Sequence, residues 1–523
     1  MSVLAAVALL ASGCAYLERA NESTDGTQLD GSSEGVALSG DGRYVAFVRG
    51  APTVAPDVFV RDLRTGVLEQ ASVTDEGAAG AGGQVFDLPA ISDDGRYVAF
   101  ASSHVNLVAG DTNAFIDVFV RDRQNGTTER VSVASDGTQA NALSGSPAIS
   151  SDGRYVAFVS QASNLVAGDT NGFIDVFVRD RQSSTTERVS VATGGAEGNG
   201  DSTPPDLLAP TVAMSGDARY VVFASTASNL VAGDTNSAID VFLHDRTSGG
   251  TERVSLAADG GEGDGNSDQP SVSDDGRYVA FRSVAGNLVP SNPGPNEDIY
   301  VRDRQSALTT HESVGAFPPG EDGFSSRQPA LSEDGRWLAF ESGAPNLVPD
   351  DTNANSDVFV KDIGGTDLIR RVSLGPGGQQ ADSFSGPWLA ISGDGRYAAF
   401  SSDALNLVTP DENDAFDVFV RVVVSPTIET ITPTTVARGE TATLTVTGTG
   451  FFPGAQASAS ALTDPGVTVD SVTVVSENEL ELTVTADPDA PTGTRHVTAW
   501  NSGTGPGPGA GAAGICVDCL TVT

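Results

Sequence analysis

The chain of 523 residues is poor in cationic side chains, with 29 Lys and Arg against 69 Asp and Glu, and its formal net charge is −40. Affinity for nucleic acids comes mainly from cationic groups that neutralise phosphates, so nucleic acid is excluded as an expected partner. Anionic lipid is unfavourable for the same reason. The acidity is spread over the whole chain, which favours solubility without marking one face as a binding surface.

No apolar run at the start of the chain is long enough to span a bilayer. Residues 1–14 are apolar and end in small residues followed by Cys14. This segment resembles the signal peptide and lipobox of a bacterial lipoprotein. The resemblance implies cleavage before Cys14, lipidation of that cysteine and an extracytoplasmic location, with the lipid anchor as the sole membrane contact. An ordinary secretory signal or a misassigned start is the alternative.

Aromatic residues make up 6% of the chain, whereas glycine occurs 60 times, a composition that favours short strands joined by tight turns. One motif, Asp-Gly-Arg-Tyr-Val-Ala-Phe or a close variant, begins at seven positions: Asp41, Asp94, Asp152, Asp217, Asp275, Asp334 and Asp394. The spacings are 53, 58, 65, 58, 59 and 60 residues. Periods of this size are typical of solenoids and propellers.

Each repeat contains four segments that we predict to be strands A to D. In the third repeat these are residues 146–150, 155–160, 175–178 and 187–192. Asp152-Gly153 between strands A and B is a strong hairpin signal, because both residues tolerate positive φ. Strand C is a continuous Val-Phe-Val run, so both of its faces are expected to be covered. Four antiparallel strands per repeat predict a propeller blade.

The two ends of the repeat region complement each other. After Asp417–Val420, strand C of the seventh repeat, the chain supplies no strand D. Residues 17–28 match residues 128–139, which begin in strand D of the second repeat. The sequence therefore predicts an all-β fold in which a seven-bladed β-propeller is closed by the N-terminal strand, since a ring of repeats must join its first and last blades.

The Ser-x-Asp-Gly-Arg-x-x-Ala-Phe and Asp-Val-Phe-Val-Arg-Asp motifs resemble the TolB-like propeller repeat over about residues 17–424. This resemblance implies a binding or scaffolding module, and some related propellers are fused to peptidases. Beyond the repeats, residues 426–433, 444–451 and 490–495 resemble an IPT/TIG immunoglobulin-like domain, and alternating Thr-Val segments there predict sandwich strands. The expected domains are a leader at 1–14, a propeller at 15–424 and a sandwich at 425–523.

A group of acids and amides lies between strands B and C in five repeats. The motif Asp-x-Asn-x-x-x-Asp occurs as Asp111, Asn113, Asp117; Asp169, Asn171, Asp175; Asp234, Asn236, Asp240; Asp351, Asn353, Asp357; and Asp411, Asn413, Asp417. Calcium prefers oxygen ligands of these types, so calcium is a possible cofactor, although none is required. The alternative, which we favour, is that these side chains form Asx-turns with their own backbone.

Other motifs lack the context that their chemistry requires. Ser33 lies in a Gly-x-Ser-x-Gly match, but a nucleophile elbow needs a strand-to-helix turn that is not predicted here. The repeated Ser-x-Asp-Gly does not have the spacing of a sialidase Asp-box. The histidines at 104, 244, 311 and 496 show no metal-ligand spacing. For Cys516 and Cys519, a local disulfide is the preferred interpretation, since a redox pair would need a thioredoxin-like context.

The favoured function is therefore that of a non-enzymatic extracytoplasmic binding or scaffold protein, monomeric, whose loops contact a protein or glycan. The alternative is a hydrolase that acts on polysaccharide or peptide at the central pocket. We expect binding on the face that carries the B–C loops and the D–A connections, such as residues 135–145 and 194–210. No catalytic residue is predicted.

Overall fold

A computed structural model describes residues 17–51, 54–202, 211–290, 296–315, 324–365, 368–423, 427–449, 451, 456–460, 466–476, 478–500 and 514–523. The predicted leader and Cys14 lie outside these residues. Contacts divide the chain into two units, a larger one of Glu18–Ser373 and Ala381–Arg421 and a smaller one built on Val422–Thr523. The all-β class is confirmed, since one 3-10 turn at Pro376–Gly378 is the sole helical element described. No helix in the described ranges is long and apolar enough to cross a membrane.

Within the described residues the larger unit contains seven four-stranded sheets, numbered here in chain order of their hairpins. Sheet 1 holds β2 (Ser32–Leu38), β3 (Tyr44–Ala51), β4 (Val54–Asp62) and β5 (Leu68–Gln70). Sheet 2 holds β6 (Val85–Ile91), β7 (Tyr97–Ser102), β8 (Asp117–Asp122) and β9 (Thr127–Arg130). Sheet 3 holds β10 (Ser144–Ile149), β11 (Tyr155–Ser160), β12 (Asp175–Asp180) and β13 (Thr185–Arg188). Sheet 4 holds β14 (Val212–Met214), β15 (Tyr220–Ser225), β16 (Asp240–Asp245) and β17 (Gly250–Arg253).

The remaining sheets follow the same order. Sheet 5 holds β18 (Ser267–Val272), β19 (Tyr278–Ser283), β20 (Asp298–Asp303) and β21 (Leu308–His311). Sheet 6 holds β22 (Ser326–Leu331), β23 (Trp337–Ser342), β24 (Asp357–Asp362) and β25 (Ile369–Arg371). Sheet 7 holds β26 (Ser385–Ile391), β27 (Tyr397–Ser402) and β28 (Asp417–Val422), with β1 (Leu17–Arg19) beside β28 in the place that strand D takes elsewhere. There the backbone N–H of Ala20 donates to the carbonyl of Val418 at 2.7 Å.

The sheets pack against one another through buried apolar side chains. Each strand A contacts strand A of the next sheet, and β26 of sheet 7 contacts β2 of sheet 1. Strands B and C carry the core, with stacked pairs such as Phe158 and Phe177, both fully buried. The Val-Phe-Val runs are buried on both faces, as their lack of alternation predicts.

The repeated hairpin motif forms one hydrogen-bond unit, seen clearly in sheet 3. Ser150 Oγ donates to Asp152 Oδ1 at 2.7 Å and accepts from the backbone N–H of Tyr155 at 2.9 Å. Arg154 donates through two nitrogens to the Asp180 carboxylate of strand C at 2.9 and 2.7 Å. This pairing lowers the pKa of Asp180 and ties the A–B hairpin to the C–D turn. We call the side of the sheets that carries these turns the hairpin edge and the opposite side the loop edge.

The hairpin glycine has a packing role in addition to its turn conformation. Gly153 has φ +71°, and a Cβ there would lie 2.1 Å from Cδ2 of Tyr97 in the preceding sheet. The Arg181 guanidinium covers the same ring at 4.4 Å from its centroid. The hairpin glycines 42, 95, 276, 335 and 395 likewise lie against an aromatic ring of a neighbouring sheet. Cation-π contacts of the same kind cover Tyr44, Tyr155 and Tyr220 and add attraction between sheets.

Hydrogen bonds also join the seven hairpins to one another. Donor and acceptor residues form the series Asp41 to Asp93, Asp93 to Ser151, Ser151 to Gly216, Gly216 to Asp274, Asp274 to Glu333, Glu333 to Gly393 and Gly393 to Gly40. Six of these bonds end on a backbone carbonyl, and Gly216 donates to the Asp274 carboxylate. The series returns to the first hairpin, so every sheet is held at this edge by its two neighbours.

The D–A connections do not lie wholly at the loop edge. Thr186 near the start of β13 donates its backbone N–H to Ser135 Oγ at 2.9 Å and its hydroxyl to the carbonyl of Val133 at 2.6 Å. The turn after strand D therefore forms hydrogen bonds with the outer strand of the next sheet, close to the C–D turn of that sheet. The expectation that residues 135–145 belong to the binding face is wrong for this first part, because its polar groups are used between sheets.

The smaller unit is a two-sheet β-sandwich. One sheet orders its strands β29 (Thr427–Thr432), β31 (Thr441–Thr449), β34 (Glu479–Ala486) and β33 (Val467–Ser476). The other orders β30 (Thr435–Val436), β36 (Gly514–Val522), β35 (Gly493–Trp500) and β32 (Gln456–Ser460). Leu444, Leu482 and Val497 are fully buried in the shared core. The alternation of Thr with Val and Leu along these strands places the apolar residues inside.

Candidate functional site

The acid motifs between strands B and C are closed ion-pair clusters. In sheet 3, Asp175 accepts from Ser190 Oγ at 2.6 Å, from Asn171 Nδ2 at 2.8 Å and from Arg188 Nη1 at 3.1 Å. The same Arg188 nitrogen lies 3.2 Å from Asp169. Asp175 is fully buried, so its charge depends on this arginine and on the hydrogen bonds.

The arrangement recurs wherever the full motif occurs. The arginine and its two aspartates are Arg130 with Asp111 and Asp117, Arg188 with Asp169 and Asp175, Arg253 with Asp234 and Asp240, Arg371 with Asp351 and Asp357, and Arg19 with Asp411 and Asp417. Burial raises the pKa of Asp117 and Asp417, against the opposing effect of their hydrogen bonds and arginines. The fifth arginine comes from the N-terminal strand, so the ion pairs of sheet 7 join the two ends of the repeat region.

The asparagines form the Asx-turns that we favoured. Asn113, Asn171, Asn236, Asn353 and Asn413 each accept through Oδ1 from the backbone N–H two residues later, at 3.0 to 3.2 Å. The guanidinium occupies the position between the two carboxylates that a cation would need. Among the described residues no group of three or more His, Cys, Asp or Glu is arranged to hold a metal. Calcium binding by these loops stays a prediction, and it would require displacement of the arginine.

The arginine was not anticipated, although the sequence contains a signal for it. It stands in the Glu-Arg of strand D in repeats two, three and four and in the N-terminal strand, and in Arg370-Arg371 of repeat six. Repeats one and five keep a single aspartate, Asp57 and Asp298, and there the same position holds Gln70 and His311. The arginine is thus replaced in the two repeats that lack the second aspartate. Such a correlation between repeats of one chain indicates that the arginine contacts that aspartate.

Two histidine groups resemble catalytic arrangements in composition alone. His104 Nδ1 lies 2.8 Å from Ser102 Oγ, and its Nε2 lies 4.0 Å from Asp57 Oδ1. Ser102 is fully buried and also donates to the carbonyl of Gln84, so its oxygen is inaccessible to a substrate. Burial lowers the pKa of His104, which favours the neutral ring. His311 stacks on Tyr300 and is packed in the same way.

The other motifs are also structural where the structure describes them. Ser33 lies within β2 and is fully buried, which is incompatible with an exposed nucleophile elbow. Cys516 and Cys519 are free thiols, and Cys519 donates to the carbonyl of Cys516 at 3.2 Å. Burial and the neighbouring thiol raise the pKa of Cys519 to about 12. The disulfide is not formed in this structure and stays a prediction for the oxidised protein.

An open cavity of about 290 Å³ is lined by the first strands of the seven sheets. Its walls are mostly apolar. Equivalent positions of strand A in six repeats are occupied by Val36, Pro89, Pro147, Val212, Pro270 and Pro329. Ser146, Thr211, Ser271 and Gln328 are the polar members. The described lining contains no titratable side chain, so it offers neither an acid nor a base for hydrolysis.

Charged residues break the repeat symmetry at the loop edge of sheets 5 and 6. Arg282 binds Asp268 through two nitrogens, both at 2.7 Å, and lies 3.0 Å from Glu297. Arg327 donates to the same Glu297 at 2.6 Å. Glu341 is buried beside them, and desolvation raises its pKa to about 7. Arg282 and Glu341 occupy the same position of strand B in sheets 5 and 6. In sheets 2 to 4 that position holds the apolar residues Ala101, Val159 and Ala224.

Exposed large apolar side chains are concentrated at the loop edge. Those described there are Val105, Phe115, Leu143, Phe173, Val314, Phe324 and Leu405, with exposed fractions from 36% to 52%. The C–D turns of the hairpin edge expose Val67, Leu308 and Leu368. The loop edges of sheets 2 and 3 are the richest sector, and we call Val105, Phe115, Leu143 and Phe173 the loop-edge patch. Ser144, next to Leu143, donates its N–H to the carbonyl of Ile116, next to Phe115, at 2.8 Å, so these two members are neighbours.

Comparisons with known proteins find one matching family model and several similar solved structures. Residues 425–502 match the family model described as quinohemoprotein amine dehydrogenase, alpha subunit domain III. No curated protein matches the chain in sequence. TolB from Acinetobacter baumannii is similar at 15% identity, with 65% of each chain covered and a TM-score of 0.35. This chain thus spans less than two thirds of that TolB.

Two further solved structures resemble the chain. An oligogalacturonate lyase from Vibrio parahaemolyticus has 12% identity, with 78% of this chain and 93% of that chain covered and a TM-score of 0.42. The β-propeller domain of the Trilobed protease from Pyrococcus furiosus has 10% identity, with 71% and 91% covered and a TM-score of 0.42. The chain is similar to TolB and other β-propellers, as the repeat motifs predicted, and its C-terminal segment is similar to domain III of the amine dehydrogenase subunit.

Proposed function

We propose that the protein is a non-enzymatic binding or scaffold protein that works outside the cytoplasm. In this proposal the seven sheets are the blades of one propeller, closed by β1, and Cys14 carries the lipid anchor. The molecule acts as a monomer and contacts a protein through the loop edge of its sheets. Capture of a glycan instead of a protein in the test below would change the proposed class of ligand.

The observation that carries the proposal is the concentration of exposed apolar side chains at the loop edge. Exposed apolar side chains that cluster are typical of protein-binding surfaces, whereas isolated ones need no explanation. At the hairpin edge the repeated polar side chains are used in hydrogen bonds within each sheet, as Arg154 and Ser150 illustrate. The loop edge therefore has side chains left for a partner, and rigid scaffolds commonly present binding residues on such loops.

The geometry favours binding over the hydrolase alternative. A hydrolase at the central cavity needs an acid, a base or a nucleophile in contact with substrate, and the described lining provides none. The serine nearest to a histidine, Ser102, is fully buried. Glu341 has a raised pKa, but it is buried in a network with Arg327 and Ser356 that accounts for its position.

The test compares two surface variants of secreted, unanchored protein. The loop variant carries Phe115→Ser, Phe173→Ser and Leu405→Ser, and the matched hairpin variant carries Val67→Ser, Leu308→Ser and Leu368→Ser. All six side chains are exposed, so both variants should keep the melting temperature of the parent. Each protein is immobilised and incubated with an envelope extract, and the bound proteins and glycans are quantified by mass spectrometry.

We expect protein capture to be lost from the loop variant and kept by the hairpin variant. Loss from the hairpin variant alone would contradict the assignment of the binding face. Turnover of polysaccharide or peptide by the parent protein would contradict the non-enzymatic proposal.

A further inference from the structure

The loop edge of sheets 2 and 3 has no cationic residue in its connecting segments. Residues 103–116, 131–143, 161–174 and 189–201 contain neither Lys nor Arg. At this edge they contribute Asp111, Asp169, Glu197 and Asp201, whereas Asp136 follows Ser135, which binds the next sheet close to its C–D turn. The loop-edge patch therefore lies in a sector whose connecting segments carry acidic side chains and neither Lys nor Arg.

The strand arginines beneath the patch do not offset this charge. Under Phe173, Arg188 contacts three carboxylates, those of Asp169 at 3.2 Å, Asp175 at 3.1 Å and Glu197 at 2.7 Å. The formal charge of that cluster is therefore negative by two. Under Phe115, one arginine faces two aspartates, which leaves a formal excess of one.

The two phenylalanines are presented by rigid turns. The backbone N–H of Phe115 donates to Asn113 Oδ1 at 3.1 Å, and that of Phe173 donates to Asn171 Oδ1 at 3.0 Å. Ala114, directly before Phe115, has φ +58°, a left-handed conformation that persists for alanine only where its surroundings hold it. Because these turns restrain the backbone that carries the two phenylalanines, less backbone entropy is lost when a partner binds there.

Among the five Asx-turns, phenylalanine follows the turn in sheets 2 and 3. The corresponding turn residues in sheets 4, 6 and 7 are Ala238, Asn355 and Ala415. Since these turns have the same Asx geometry, the turn itself does not require an aromatic residue. The sector of sheets 5 and 6, in contrast, carries Arg282 and Arg327 at the same edge.

We propose that the loop-edge patch binds a cationic protein segment that combines Lys or Arg with aromatic or aliphatic side chains. The apolar anchors pack on Phe115 and Phe173, and the cationic groups lie over the uncompensated carboxylates of the two clusters. The proposal rests on the function proposed above and narrows it to one sector and one partner chemistry.

The test uses a phage-displayed library of random 12-residue peptides as the probe, selected on the intact, unanchored protein. Selected peptides are synthesised, and their dissociation constants are measured for the parent, for Phe115→Ser with Phe173→Ser, and for the matched control Val67→Ser with Leu308→Ser. The measurements are repeated at low and high salt, because screening weakens attraction between exposed charges.

We expect enrichment of peptides with Lys or Arg next to aromatic residues. Their affinity should fall at least about tenfold in the phenylalanine variant, as is usual for interface anchors, and should stay unchanged in the control. Affinity should also fall with salt. Selection of neutral or acidic peptides, absence of selectable peptides, or equal binding to the phenylalanine variant would overturn the proposal.

The outcomes separate this inference from the broader function. Peptides that bind at the loop edge of other sheets, with affinity lost on Leu405→Ser instead, would refute the patch and leave the proposed binding face intact. Peptides that lose affinity only in the Val67→Ser and Leu308→Ser control would refute both.

Discussion

The two edges of the seven sheets use the same repeats in different ways. At the hairpin edge, the serine-to-aspartate hydrogen bond of the motif repeats from sheet to sheet, and the arginine pairs with the aspartate that ends strand C in sheets 1 to 6. At the loop edge, the arginine clusters repeat in five sheets, while exposed phenylalanines in the Asx-turns occur in sheets 2 and 3 and the network around Arg282 occurs in sheets 5 and 6. The comparison teaches that repeated polar chemistry maintains the fold, and that departures from the repeat mark the surface available to a partner.

The largest expected effect comes from removal of the strand that joins the two ends. Deletion of residues 17–24 removes Arg19 from the fully buried Asp417, which it contacts at 2.9 Å. An uncompensated buried charge costs about 3–5 kcal/mol, and the lost strand pairing adds to that cost. Deletion of residues 425–523 should leave the melting temperature of the larger unit nearly unchanged. Equal loss of stability in the two truncations, measured by calorimetry, would contradict the role of β1.

Loss of one cluster arginine should have the next largest effect. Arg188→Met leaves Asp169 and Asp175 without their cation and is expected to lower the free energy of unfolding by about 3–5 kcal/mol. Arg181→Met is the control, because its partner Glu129 is half-exposed and its ring contact is modest, so the expected loss is about 1–2 kcal/mol. Urea denaturation measures both. A smaller loss for Arg188→Met than for Arg181→Met would show that the clusters do not stabilise the loop edge.

The hairpin edge should be sensitive to a single methyl group. Gly153→Ala places a Cβ against the Tyr97 ring and forces alanine into a left-handed conformation, with an expected loss of about 2–4 kcal/mol. Gly137→Ala is matched in conformation, at φ +87°, but has nothing within 4 Å, so about 1–2 kcal/mol is expected. Urea midpoints that coincide would mean that the close packing on Tyr97 contributes nothing.

A weaker effect, dependent on pH, is expected from the acids at the hairpin edge. Desolvation and the charges of Asp93 and Asp274 raise the pKa of Glu333 to about 8. A carboxyl with a raised folded-state pKa contributes stability below its unfolded value of 4.5, and this contribution is lost as the pH rises through 8. Glu333→Gln should therefore reduce the loss of thermal stability between pH 5 and pH 9. A variant with the parent's full pH dependence would refute this explanation.

The smallest expected effect is that of calcium on the loop edge. Because an arginine already lies between each pair of aspartates, addition of calcium to chelated protein should leave the melting temperature unchanged. Asp169→Asn with Asp175→Asn removes one pair of acids and serves as the control. Tight sites in calorimetry, of which one disappears in that variant, would restore the calcium interpretation.

The strands, their order within a repeat and the class of the fold could be predicted from the sequence alone. Seven copies of a motif with Asp-Gly hairpins and apolar runs leave few alternatives, because turn chemistry and strand periodicity are local properties. The match of residues 17–28 with a strand D segment likewise predicted the position of β1. Local patterns also identified Asn113 and its equivalents as Asx-turn residues.

Tertiary structure decided which charges meet. Arg188 is separated from Asp169 by 19 residues, and Arg19 from Asp417 by nearly the whole repeat region, so no local pattern assigns them to one cluster. The hydrogen bond between Ser135 and Thr186 and the packing of Gly153 on Tyr97 also join residues of different repeats, so no local pattern predicts them. Hydrogen bonds within a turn depend on adjacent residues, whereas burial and ion pairing depend on which surfaces the folded sheets bring together.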